Sequence, residues 1–150
     1  MAYSPPNFLA TSGYDGKLFI WNMDSAVVKF ALSIPGVEER DVDQRAIWCL
    51  LFLEKRSQAL LSSTADGMLV FWNVKEGAVV WQQPARHRNN EAVVAMATDP
   101  TNSFLFTGDS LGYIKAWDCC RILNVAGLDQ TGNLIELAHW RAHELGITSL

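Results

Sequence analysis

Aspartate and tryptophan recur at a fixed spacing in this sequence, and the chemistry they suit is hydrogen bonding. Asp15 precedes Trp21 by six residues, and Asp66 precedes Trp72 by the same six. An aspartate at a buried turn needs hydrogen-bond donors, because a buried carboxylate without partners is very costly. An indole N–H, a hydroxyl or an imidazole N–H can supply them. The pattern therefore predicts a structural polar network rather than a catalytic pair.

The same phrase occurs three times along the chain. A glycine lies five residues before Trp21, Trp72 and Trp117, and the tryptophans are 51 and 45 residues apart. Each copy reads as a tight turn followed by a mostly apolar strand, since glycine accepts a positive φ without a Cβ clash. Periods of this size are typical of repeat architectures, and ~40–45 residues is the value for WD repeats. From about residue 7 to residue 150, the chain resembles the WD-repeat family of β-propellers.

The resemblance implies an all-β chain that forms part of a propeller. A propeller closes with about 4–8 four-stranded blades, whereas this sequence holds three tryptophan-bearing units. The expected units span about residues 1–45, 46–91 and 92–142, and residues 143–150 begin a fourth. We expect about three antiparallel WD-type blades, truncated at both ends. We also expect Pro5 and Pro6 to stop any structure before the second strand of the first unit.

Complete repeats of the family join four side chains by hydrogen bonds. These are a histidine before the first strand, a serine or threonine on the second strand, the turn aspartate and the third-strand tryptophan. Carried over position by position, the resemblance assigns such roles to Thr11, Asp15, Trp21, Ser62, Thr64, Asp66, Trp72, His87, Trp117 and His143. The sets are incomplete, because the first two units have no histidine at the matching place.

The third unit departs from the pattern at its turn. Leu111 stands where the family has its aspartate, six residues before Trp117, and Asp109 lies two residues earlier. We expect Asp109 not to reach the network. The second unit, with Asp66 and a nearby hydroxyl, is therefore expected to have the better set.

Composition argues against several function classes. The 12 basic and 16 acidic residues give a net charge of −4, so no basic surface for nucleic acid or polybasic membrane patch is indicated. No apolar run approaches the ~20 residues of a membrane span, and the N-terminus lacks the pattern of a secretory signal. Cys49, Cys119 and Cys120 make neither an even disulfide framework nor a Cys-x-x-Cys pair, which indicates a reducing intracellular compartment. We expect no cofactor and no metal.

Charged segments between the strands favour a protein-interaction scaffold, since connecting loops carry binding more often than strands do. In the family, the loops before each first strand share one face with the aspartate-bearing turns. The predicted partner-binding residues on that face are Tyr14, Glu38, Glu39, Asp41, Arg86 and Arg88. Neighbouring opposite charges there would select other proteins by complementarity, in a multi-subunit assembly. The insertion at residues 119–133 is expected on the opposite face.

Two alternative functions remain open. One is a substrate receptor or adaptor of another intracellular complex, although the Trp-Asp-x-Arg motif of ubiquitin-ligase receptors is absent because Arg121 comes one residue too late. The other, more remote, is a propeller enzyme. The sialidase-type Asp box needs aspartate five residues before tryptophan, and Asp66 lies six before Trp72. Because no nucleophile–base pair or phosphate loop is recognisable, an enzyme is not expected.

Three phrases resemble a narrower group, the long WD-repeat proteins of motile cilia that include WD repeat-containing protein 49. The phrases lie in residues 95–99, 107–115 and 140–143. This resemblance implies a place in an axonemal scaffold of the cilium. Otherwise the expected location is the cytoplasm.

Overall fold

Strands make up most of the computed structural model, which describes residues 1–4, 7–39, 41–53, 59–119 and 134–150. In the first sheet the strands are β1 (Ala2–Ser4), β2 (Phe8–Ser12), β3 (Lys17–Asn22) and β4 (Val27–Ser33). In the second they are β5 (Ile47–Phe52), β6 (Ala59–Thr64), β7 (Met68–Asn73) and β8 (Ala78–Pro84). In the third they are β9 (Val93–Thr98), β10 (Phe104–Asp109), β11 (Tyr113–Asp118) and β12 (Ile135–Arg141).

Each sheet is an antiparallel meander, with its four strands hydrogen-bonded in chain order. We call the sheets blades 1, 2 and 3. This arrangement confirms the expected all-β fold of three four-stranded blades from a partial propeller. The described helical segments are short: a 3-10 turn at Val37–Glu39, the α-helix α1 at Val42–Arg45 and a 3-10 turn at Arg88–Asn90. None of them is long and apolar enough to cross a membrane.

The first strand of blade 1 was not expected. Strand β1 pairs with β2, with Tyr3 opposite Leu9, so the prediction that structure begins at the second strand was wrong. Proline blocks a ladder only where it stands inside a strand, and the sequence puts Pro5 and Pro6 between β1 and β2. At the other end, residues 142–150 form no strand, although the Ile147 N–H donates to the Asp109 carbonyl at 2.9 Å.

Two apolar cores hold the blades together. One lies between blades 1 and 2 and includes Ile20, Leu60 and Trp72. The other lies between blades 2 and 3 and includes Phe71 and Trp117. Neighbouring residues of β6 and β7 therefore enter different cores, which explains why these strands are apolar at successive positions rather than alternating. In each blade the register between the third and fourth strands shifts at the tryptophan, a bulge repeated three times.

One end of the blades carries the turns between second and third strands and the loops between blades. We call this end the turn face. It comprises the turns at residues 13–16, 65–67 and 110–112 and the loops at residues 34–39, 41–46 and 85–92. The Gly67 carbonyl accepts the Ala85 N–H at 2.9 Å in the loop before blade 3, and the Gly13 carbonyl accepts the Ile47 N–H at 3.3 Å at the start of β5. The turns of blades 1 and 2 thus contact the part of the chain that enters the next blade.

Candidate interaction face and the networks that position it

A chain of hydrogen bonds runs through blade 3 towards the turn face. Trp117 Nε1 donates to Thr107 Oγ1 at 2.9 Å, and the same Oγ1 lies 2.9 Å from His87 Nε2. His87 Nδ1 lies 2.9 Å from Asp109 Oδ2. All four side chains are buried. This series of hydrogen bonds gives each of the buried polar groups a partner, as burial requires.

The donor and acceptor roles in this series of hydrogen bonds determine the protonation state of each group. The indole N–H of Trp117 can only donate, so Thr107 accepts it and directs its own proton to His87 Nε2. His87 then carries its proton on Nδ1 and donates it to the ionised carboxylate of Asp109. Burial lowers the pKa of His87 from its usual 6.5, while the hydrogen bond and charge of Asp109 act in the opposite direction. His87 is accordingly assigned as neutral at neutral pH.

Asp109 does reach the network, so the expectation that it would not was wrong. The pairing of β10 with β9 shifts register between Gly108 and Asp109, and a bulge of this kind re-aims a side chain. The second carboxylate oxygen of Asp109 accepts the backbone N–H of Leu111 at 2.9 Å and of Tyr113 at 2.8 Å. The turn therefore uses the backbone of Leu111 and needs no aspartate side chain at that position.

The carboxylate of Asp109 joins two parts of the turn face. Through His87 it is bonded to the loop at residues 85–92, and through backbone N–H groups it is bonded to the turn at residues 110–112 and to Tyr113. The buried network consequently fixes the relative position of the residues that flank it. Arg88 follows His87 directly, and its Nη1 donates to the Tyr113 hydroxyl at 3.0 Å.

Blade 2 stabilises its tryptophan with a shorter set. Trp72 Nε1 donates to Ser62 Oγ at 2.9 Å, and both side chains are buried. Thr64 donates to Asp66, and the Met68 N–H donates to Thr64 Oγ1 at 3.2 Å. No histidine can link the two pairs, because the first histidine of the sequence is His87.

Blade 1 holds the smallest set. Trp21 Nε1 donates to Thr11 Oγ1 at 2.9 Å. Asp15 is exposed and accepts the backbone N–H of Lys17 at 3.1 Å, so it caps its own turn. The side chain of His143 is also exposed, and its backbone N–H donates to the Gly112 carbonyl at 3.2 Å. Of the residues assigned by resemblance, those in blade 3 lie closest to the complete family set.

Thr107 and Asp109 are structural residues that sequence reasoning missed. A usable signal for Thr107 was present, because Thr11, Ser62 and Thr107 each lie ten residues before a tryptophan of the repeat. The hairpin register puts this hydroxyl on the same face as the indole in every blade. The bulge that brings in Asp109 leaves no comparable mark in the sequence.

Lys115 is a buried cation that the sequence did not single out. Its ammonium group lies 2.7 Å from Glu136 Oε2 and also donates to the carbonyls of Ala85 and Arg86 at 3.2 and 2.8 Å. It lies 5.2 Å from the ring centre of Trp117. A buried charge requires such partners. Lys115 thereby attaches the loop after β8 to β11 and β12.

An exposed aromatic pair lies on the turn face between blades 1 and 2. Tyr14 is 73% exposed and Trp48 is 49% exposed, and their rings meet edge to face with centres 5.7 Å apart. Trp48 is the bulge residue of β5, where the register shifts between Ile47 and Cys49. The bulge points Trp48 out of an otherwise apolar strand.

The charged residues predicted to bind partners are all exposed: Glu38, Glu39, Asp41, Arg86 and Arg88. The acidic segment is held to α1 by Arg45, whose Nη2 donates to the Glu38 carbonyl at 3.0 Å. Within the described part of the chain, no ion pair joins the acidic loop to the arginines. The two charged loops lie at the same end of the blades.

The remaining candidate features lie elsewhere. Residues 120–133, most of the predicted insertion, fall outside the described residues. Burial raises the pKa of the Cys49 thiol, which disfavours the reactive thiolate. Across residues 1–4, 7–39, 41–53, 59–119 and 134–150, no group of three or more His, Cys, Asp or Glu side chains could hold a metal ion.

Comparison with known proteins points to the same family as the repeat pattern. Residues 82–118 match the family model described as WD domain, G-beta repeat. The chain is 36% identical over 88 residues to the WD repeat-containing protein on Y chromosome of Anopheles gambiae, which covers 55% of the chain and 8% of the relative. It is 31% identical over 100 residues to Actin-interacting protein 1 of Caenorhabditis elegans, covering 66% of the chain and 14% of the relative. The chain thus spans a small part of the length of these relatives.

Solved structures share the fold at low sequence identity. A chain in the crystal structure of a mitotic checkpoint complex superposes with a TM-score of 0.70 at 18% identity, covering 95% of this chain and 38% of that one. The computationally designed Ika8 protein gives a TM-score of 0.67 at 21% identity, covering 99% of this chain and 37% of its own. These likenesses establish the fold of a partial WD-type propeller.

Proposed function

We propose that this chain, a WD-repeat protein by its repeat match and by its fold, contributes a protein-binding surface to a larger assembly. WD-repeat proteins generally act as interaction scaffolds and typically lack enzymatic activity. The observation that carries the proposal is the exposed pair of Tyr14 and Trp48 on the turn face.

The physical argument rests on what such a pair contributes at an interface. Tyrosine and tryptophan are enriched among the few residues that dominate binding energy, because each buries a large apolar area at a small entropic cost. Tyr14 and Trp48 already contact each other, so their orientation is partly fixed before a partner binds. Charged loops on the same face provide a polar rim that selects among partners.

A matched pair of variants tests this surface. We expect Tyr14→Ala and Trp48→Ala together to weaken binding of native partners by roughly 30-fold or more, the effect of losing one interface hot spot. Met23→Ala is the control, since Met23 is 48% exposed but lies on a turn at the opposite end of blade 1. Quantitative affinity purification of the tagged full-length protein would measure both. Partner loss with Met23→Ala and retention with the aromatic variant would place binding on the other end.

The acidic loop gives a second test of the same surface. Reversal of charge at Glu38, Glu39 and Asp41 should leave folding within ~0.5 kcal/mol, because exposed substitutions rarely cost more. It should lower partner capture at low salt and flatten its salt dependence, since exposed charges are screened over ~8 Å at physiological ionic strength. An unchanged partner set at low salt would remove the acidic loop from the proposed rim.

For the kind of assembly, we propose an axonemal scaffold in motile cilia. The support is the resemblance of residues 95–99, 107–115 and 140–143 to long ciliary WD-repeat proteins. A fluorescent tag on the full-length protein in multiciliated cells tests it, with retention in detergent-extracted axonemes as the expected result. A signal confined to the cell body would favour the alternative, an adaptor in another intracellular complex.

A further inference from the structure

A cleft on the turn face of blade 3 lies apart from the aromatic pair. Its volume is about 310 Å³. Its lining includes Arg88 from the loop before β9, Tyr113 at the start of β11, Arg141 at the end of β12, and Glu144 and Leu145 from the segment that follows. The buried network is bonded to this lining, because Asp109 accepts the backbone N–H groups of Leu111 and Tyr113 and His87 directly precedes Arg88.

Two arginines converge on one tyrosine in this cleft. Arg88 Nη1 lies 3.0 Å from the Tyr113 hydroxyl, and the guanidinium carbon of Arg141 lies 6.0 Å from the centre of the same ring. Arg141 is oriented by donating to the carbonyls of His143 and Glu144 at 3.2 and 3.0 Å. Each arginine has five N–H donors, so several on each remain available.

Among the described residues that line this cleft, two arginines outnumber one carboxylate, Glu144, so the lining keeps a net positive charge. Neither Arg88 nor Arg141 forms an ion pair there, whereas the nearby cation Lys115 is paired with Glu136 at 2.7 Å. Tyr113 accepts a hydrogen bond from Arg88, which leaves its own O–H free to donate into the cleft. The cleft thus presents two guanidinium groups and one phenol, all hydrogen-bond donors.

This set of donors matches an anion, and the lining favours a singly charged one. Arginine binds carboxylates in a planar, bidentate manner. Glu144 also lines the cleft and repels a doubly charged phosphate more strongly than a carboxylate. Leu145, 81% exposed at the rim, offers apolar contact to the peptide that carries the anion.

We propose that the cleft of Arg88, Tyr113 and Arg141 binds a glutamate or aspartate side chain in an acidic segment of a partner protein. The inference rests on the proposed scaffold function and gives that function a ligand chemistry. It also assigns a role to the network below, which holds Arg88 beside Tyr113 through His87 and Asp109.

The test uses a fluorescein-labelled oligoglutamate decapeptide and fluorescence anisotropy with the full chain. We expect Arg88→Gln and Arg141→Gln each to weaken binding about tenfold, the loss of a charge-assisted hydrogen bond. Lys75→Gln is the control, because it removes one positive charge from an exposed residue that does not line this cleft. Its effect should stay within about twofold. Since Arg88 is exposed, its variant keeps the test valid if Arg141→Gln disturbs the segment after β12.

Three results would overturn the proposal. These are no binding of oligoglutamate at millimolar concentration, equal loss with Lys75→Gln, or preference for a phosphoserine peptide of equal length. An oligoglutamine peptide controls for backbone contacts. The scaffold proposal fails separately, because it predicts partner loss with the Tyr14 and Trp48 variant. Those substitutions should leave oligoglutamate binding unchanged.

Discussion

Blades 2 and 3 both bury the indole N–H of a tryptophan on the third strand, but the hydrogen-bond networks that satisfy it differ in extent. In blade 2, Trp72 donates to Ser62, and Thr64 with Asp66 forms a second pair at the turn. In blade 3, the bonds from Trp117 continue without a break to the turn. The comparison indicates that one histidine joins the tryptophan–hydroxyl hydrogen bond to the aspartate at the turn. The result is a single hydrogen-bond network that links loop, strand and turn.

The connection has a consequence for the surface above it. Asp109 and His87 join the turn at residues 110–112 to the loop that carries Arg88, whereas the sequence gives blade 2 no histidine to make this link. Blade 2 instead holds its loop by backbone bonds, such as Ala65 N–H to the Ala46 carbonyl at 2.8 Å. We therefore expect substitutions of the polar network residues to cost more stability in blade 3 than in blade 2.

The largest expected difference is between Asp109→Ala and Asp66→Ala. Loss of the Asp109 carboxylate leaves the buried His87 Nδ1–H and two backbone N–H groups without their acceptor, at about 1–3 kcal/mol for each buried group left unpaired. Asp66 is only partly buried, so its loss should cost about 1–2 kcal/mol. Urea denaturation of the two variants would measure this. A cost for Asp66→Ala that equals or exceeds that for Asp109→Ala would contradict the comparison.

A smaller difference is expected between the hydroxyl residues. Thr107→Val keeps the shape of the side chain but leaves both Trp117 and His87 unpaired, at about 1–3 kcal/mol for each buried group. Ser62→Ala leaves the Trp72 indole unpaired, a cost of about 1–3 kcal/mol. Thermal melts of the pair should show the lower Tm for Thr107→Val, and the reverse order would argue against a shared hydroxyl in blade 3.

The smallest effect expected is a pH dependence specific to blade 3. The pKa of His87 is lowered by burial in the folded chain, so below about pH 6.5 the unfolded chain binds the extra proton and stability falls as pH falls. Denaturation midpoints between about pH 7.5 and 5 should decline less in His87→Asn than in the wild type. His143→Gln, which changes an exposed histidine that does not affect the pKa of His87, should retain the wild-type slope.

Much of the fold could be predicted because the same residue types recur at the same spacing in each repeat. The three tryptophans with glycine five residues earlier mark three blades, since a turn and a strand buried between two cores need those residue types. The candidate site was less predictable. Its members depend on register shifts, which bring Asp109 into the network and turn Trp48 outwards, and a one-residue shift exchanges the faces of a strand.

Lys115 illustrates the other limit of the sequence. A lysine in a strand pattern reads as solvent-facing, and its burial depends on partners that are distant in sequence, the Glu136 carboxylate and two carbonyls of the loop before β9. Strand β1 shows the same dependence, because its pairing with β2 is a contact between segments and not a property of its three residues.

The most direct test of the continuous network in blade 3 is a pair of double-mutant cycles. One combines Trp117→Phe with Asp109→Asn, and the other combines Trp72→Phe with Asp66→Asn. Because Thr107 and His87 connect the first pair, we predict a coupling energy above about 0.5 kcal/mol there, and below that value in blade 2. Additive effects in blade 3, or equal coupling in both blades, would contradict the account.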